Sequence, residues 1–132
     1  MSLLFPDPPL VRTPARLFAW WESRRPSYNL VVGGAGLVTT GLIELLRVLP
    51  GPLHGVPLAW PLIVVYGVVA NVCYSAGWMV EAVVQRWLGR KTYGLGPALF
   101  RHGLVFSVGL TLFPAALAVL ATAVGLLSHF FR

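Results

Sequence analysis

Charged residues are absent from three long stretches of the chain: Pro26 to Ile43, Val48 to Val80 and His102 to Phe131. About 20 residues at ~1.5 Å rise cover a hydrocarbon core of about 30 Å, so each stretch has room for a spanning helix. The pattern predicts an all-α integral membrane protein with three transmembrane helices, over 28–49, 60–87 and 98–131, preceded by a short interfacial amphipathic helix over 13–25. Thr13-Pro14 supplies an N-cap and a first helical position for that short helix, and paired Trp20 and Trp21 beside arginines suit the headgroup zone. Pro50-Gly51-Pro52 stops the first span, and a Gly-rich basic connection from Gly89 to Pro97 separates the second from the third. Pro114 falls near the middle of the third span, where a proline removes a backbone hydrogen bond and is expected to kink one tilted helix. The whole chain, 1–132, then forms one membrane domain.

Composition agrees with the pattern. Of 132 residues 57% are hydrophobic and 11% charged, and the mean hydropathy is +0.76, far more apolar surface than a soluble domain of this size buries. The net charge of +6 comes from basic residues flanking the apolar stretches, where they set topology and touch anionic lipid rather than nucleic acid. Arg24, Arg25, Arg86, Arg90, Lys91 and Arg101 are the candidate headgroup contacts. Arg12, Arg16, Arg24 and Arg25 precede the first span, Arg86, Arg90, Lys91 and Arg101 surround the second connection, and the first connection is uncharged. The positive-inside rule therefore expects the N-terminus in the cytoplasm and the C-terminus outside. The proline-rich start is not expected to act as a cleavable signal, and Ser23-Arg24-Arg25 is followed by no small-residue cleavage site. The single cysteine, Cys73, allows neither an internal disulfide nor a cysteine metal site.

Each span has a side richer in small and polar residues at spacings of three and four: Asn29, Gly33, Gly36, Thr40, Glu44 and Arg47 on the first, Gly67, Asn71, Tyr74, Trp78, Glu81 and Gln85 on the second, and Gly103, Ser107, Thr111, Pro114, Ala118, Thr122 and Gly125 on the third. In lipid, helices associate through close approach at small residues and through hydrogen bonds, so these sides are expected to meet. Asn29, Glu44, Asn71, Tyr74 and Glu81 are the candidate intramembrane polar residues. Asn71 lies about 15 Å into its helix, where its amide requires a partner. Glu81 has two readings: a lock between helix ends, paired with Arg25, Arg86 or Arg101, or part of a proton- or ligand-handling line with Asn71 and Tyr74. Position near the basic end favours the lock. Glu44 and Arg47 are spaced for an intrahelical pair.

His54 and His129 share the outer side, yet two histidines without placed carboxylate or thiolate ligands make a weak metal site. His102 could ligate a haem or pigment, but no attachment motif accompanies it and no cofactor is expected beyond bound lipid. Ser-His, paired-Asp and His-Glu-x-x-His arrangements are all missing, so no enzyme is expected.

The segments Arg24-Arg25-Pro26-Ser27-Tyr28-Asn29 with Gly33 and Gly36, and Asn71 to Glu81, resemble small bacterial multi-span membrane proteins with no assigned activity. That resemblance implies the bacterial cytoplasmic membrane and carries no substrate, cofactor or catalytic residue. The expected function is a small subunit or assembly component of a homo-oligomer or larger membrane complex, with a small oligomeric transporter or channel, lined by Asn71, Tyr74 and Glu81, as the alternative.

Overall fold

The computed structural model describes residues 13–58, 60–88 and 95–131. Four helices account for almost all of them: α1 (Pro14–Glu22), α2 (Arg25–Arg47), α3 (Trp60–Leu88) and α4 (Leu95–Phe130). Among the described residues there is no strand. Three helical stretches, Pro14–Arg47, Trp60–Leu88 and Leu95–Phe130, are long and apolar enough to cross a membrane. Their outward surface is aliphatic and aromatic, with Leu30, Leu37 and Phe106 each at least 70% exposed. In water that surface would be untenable; in a bilayer it is the lipid contact.

Local chemistry explains the helix limits. Thr13 caps α1, its hydroxyl accepting from the Arg16 backbone N–H at 3.3 Å, and Pro14 takes the first helical position, where its missing N–H costs nothing. Pro26 likewise lies in the first turn of α2. A proline there is tolerated, so α2 begins at Arg25, three residues ahead of the expected start, and ends at Arg47, two before the expected Leu49. Pro97 does the same for α4, which starts at Leu95 rather than Ala98. The α4 helix runs on through Pro114 to Phe130. In the two turns before the proline, the Ser107 carbonyl accepts from the Tyr66 and Thr111 hydroxyls, and the Thr111 carbonyl accepts from the Thr39 hydroxyl. Tyr66 of α3 and Thr39 of α2 thus bond the α4 backbone just ahead of the proline.

The helices run up, down and up. The N-termini of α2 and α4 and the C-terminus of α3 share one end, where α1 also packs, and the connection at Gly51 and Pro52 lies against Thr122 and Gly125 of α4 at the other. The longest interface is between α2 and α4, whereas α2 touches α3 little. The core is aromatic and sits toward the α1 end: Leu17, Trp20, Trp21, Tyr28, Val32, Tyr74, Phe100 and Leu104. From Trp60 to Val69, by contrast, α3 is largely uncovered, with Tyr66 its main contact to α4.

Candidate functional site

The densest set of buried polar groups lies where α1 meets α3 and α4. Trp21, on the inward side of α1, is 2% exposed. Its ring lies on the backbone of Gly77 so closely that a Cβ there would stand 2.8 Å from Cη2. Tyr74, Trp20 and Phe100 surround it edge-on with centroids 5.4 to 6.2 Å away, the geometry aromatic quadrupoles favour. The indole Nε1 donates to Glu81 Oε2 at 2.7 Å, and Gln85 Nε2 donates to the other carboxylate oxygen at 3.0 Å. Tyr74 closes the set by donating its hydroxyl to the Trp21 carbonyl.

Glu81 is the most buried large side chain, at 1% exposure. It lies against the first turn of α4, where a Cβ on Gly96 would come within 2.5 Å of Oε2. The first turn of a helix leaves backbone N–H groups without intrahelical partners and carries the positive end of the helix dipole, both favourable to a carboxylate. Glu81 therefore ties α1, α3 and α4 together, and the missing side chain of Gly96 is what lets it fit. Sequence reasoning singled out Glu81 but not Trp21 or Gly96 as its partners.

The neighbouring arginines divide the work. Arg24 is 4% exposed, with its guanidinium 3.6 Å from the Trp20 ring centroid and Nη1 donating to the Trp20 carbonyl at 2.6 Å; it is part of the core rather than an open headgroup contact. Arg25 grips Glu22 with two bonds, Nε to Oε2 at 2.8 Å and Nη2 to Oε1 at 2.7 Å. It also crosses to α3, donating to Ser75 Oγ at 3.0 Å and Asn71 Oδ1 at 3.4 Å. Asn71 thereby gains its partner, and its own amide N–H bonds the Gly67 carbonyl at 3.1 Å. The acid that Arg25 holds is Glu22, not Glu81.

Deeper in the bundle, hydroxyls link the spans. Tyr28 shares a 2.9 Å hydrogen bond with Ser107 and reaches the Ala70 carbonyl at 3.3 Å; Tyr66 bonds Thr111 at 2.6 Å. Thr39 donates to the Thr111 carbonyl at 2.8 Å. Among the described residues Asn71, Tyr74 and Glu81 do not line up as one hydrogen-bonded chain: Tyr74 and Glu81 both meet Trp21, while Asn71 meets Arg25.

The remaining candidates are dispersed. Asn29 and Gly33 face outward, because the inward side of α2 is Tyr28, Val32 and Thr39. Glu44 and Arg47 form their pair at 2.6 and 2.7 Å on the outer surface of α2. Arg86 and Arg101 are exposed, and Arg90 and Lys91 lie outside the described residues. His129 lines a hollow with Pro50, Gly51, Pro52, Gly125 and Ser128, and His54 is not among its walls. Among the described residues no three His, Cys, Asp or Glu side chains gather as a metal site. His102 is exposed, its Nδ1 bonded to the Ala98 carbonyl at 2.7 Å; a carbonyl only accepts, so this nitrogen carries the hydrogen. Compared with known proteins, the chain matches no family model, no curated protein and no solved structure.

Proposed function

We propose that this chain is a non-catalytic integral membrane protein whose work is assembly, with copies of itself or as a small subunit of a larger membrane complex. The observation that carries this reading is the outward face of α2. Asn29 is exposed there, and Gly33, Gly34 and Gly41 have nothing within 4 Å of where a Cβ would stand. An amide facing lipid is costly, and open glycines admit another backbone closely; together they suit a second helix. Between two parallel copies, Asn29 can both donate to and accept from its counterpart.

The buried polar groups support a structural role. Glu81 is enclosed by Trp21, Gln85 and Gly96, which favours the lock over a proton path. Under this proposal the basic flanks hold the N-terminus in the cytoplasm and the C-terminus outside, in a bacterial cytoplasmic membrane, with α1 at headgroup level. Native mass spectrometry from lipid nanodiscs tests assembly directly. Oligomers or a co-purifying partner are expected, and Gly34→Leu and Asn29→Leu should weaken them. A protein that stays monomeric and alone in a bilayer overturns the reading, as does proton flux in liposomes that Glu81→Gln abolishes.

A further inference from the structure

We propose that the hollow beside α3 seats one phospholipid with an anionic headgroup, its phosphate on Arg25 and one acyl chain along Val72, Val68 and Val64. The hollow, about 710 Å³, has Arg25, Asn71 and Ser75 among its walls, and is otherwise lined by apolar or small α3 side chains. Polar donors thus gather at one level while an aliphatic trough continues away from them. Val64, Val68 and Val72 are all exposed, so the trough opens sideways, where a lipid enters without crossing the protein.

Length fits this occupant. Positions 75 and 64 are eleven apart in α3, about 16 Å at the helical rise, and one leaflet of hydrocarbon is about 15 Å thick. A headgroup at the level of Ser75 therefore places the end of its chain near Val64.

Charge supplies the selectivity. A guanidinium has five N–H donors, and Arg25 spends four: two on Glu22 and one each on Ser75 and Asn71. One donor on Nη1 has no partner among the described residues, and a phosphate oxygen takes it in a charge-assisted bond. Ser75 and Asn71 stand beside it with polar atoms of their own. A choline lipid brings with its phosphate a bulky cation for which the walls of the hollow hold no carboxylate, and is disfavoured. The proposal stands whether or not the chain assembles with copies of itself.

The test uses the full chain in nanodiscs of equal phosphatidylglycerol and phosphatidylcholine, released for native mass spectrometry. The wild type is expected to retain one phosphatidylglycerol per chain. Arg25→Gln should lower that retention about tenfold, equivalent to about 1.4 kcal/mol. Val68→Phe, on an exposed position, fills the trough without touching Arg25 and should lower it similarly. Arg47→Gln, at the far end of α2, should leave it unchanged. Equal retention of both lipids overturns the proposal, as does wild-type retention by the Val68→Phe variant.

Discussion

At Gly96 the difference between a hydrogen and a methyl group decides whether Glu81 keeps its place. A Cβ would fall 2.5 to 2.8 Å from three atoms of the Glu81 carboxyl group, and that group, held by Trp21 and Gln85, has little room to yield. Gly96→Ala is expected to destabilise the fold by about 1–3 kcal/mol, the usual range for overpacking, read as a lowered Tm of the purified protein in detergent. Trp21→Phe keeps most of the aromatic packing but removes the indole donor from a buried carboxylate. A loss of about 1–3 kcal/mol is expected in the same measurement, and an unchanged Tm would deny the bond its role. In the sequence Glu81 stood out because it interrupts an apolar run. Gly96 reads there only as a turn glycine and Trp21 only as an interfacial aromatic, because a contact between residues 60 positions apart leaves no periodic mark on either segment.

At the scale of elements, the three spans were legible as uncharged windows, and their ends shifted where Pro26 and Pro97 start helices earlier than a hydropathy window suggests. Which side of each helix faces inward was harder to read. On α2 the small residues suggested Asn29 and Gly33, but the buried positions are Tyr28, Val32 and Thr39. Both sides of a spanning helix are apolar enough for lipid, so periodicity discriminates weakly, and a tyrosine that fills space and bonds Ser107 outweighs a glycine that does neither. On α3 the expected stripe includes Tyr74 and Glu81, both buried, because the polar groups there are large enough to require partners. The single interhelical bonds are expected to be worth little each. Thr39→Val, which cuts the bond to the Thr111 carbonyl, should cost about 0.6 kcal/mol and no more than about 1.7 in reversible unfolding from mixed micelles. Pro114 is exposed within a continuous α4, so Pro114→Ala should fold normally with a Tm no lower than wild type.

For the molecule as a whole, the up-down-up order sets Arg101 and Ser128 at opposite ends of α4. In a Cys73→Ser background, a cysteine placed at Ser128 should react with an impermeant maleimide added to intact cells, and one placed at Arg101 should react only after the membrane is opened. The reverse result would invert the orientation drawn from the basic flanks. The docking of α1 also constrains the order of events during synthesis. Its tryptophans emerge from the ribosome first, yet Gly77 and Glu81 arrive some sixty residues later, and Phe100 and Gly96 later still. Until then the aromatic side of α1 lacks the α3 and α4 surfaces it packs upon. Bringing it home closes a loop of that length, an entropic cost that grows only slowly with chain length. The packing of α1 is thus complete only once α3 and the first turns of α4 are in place.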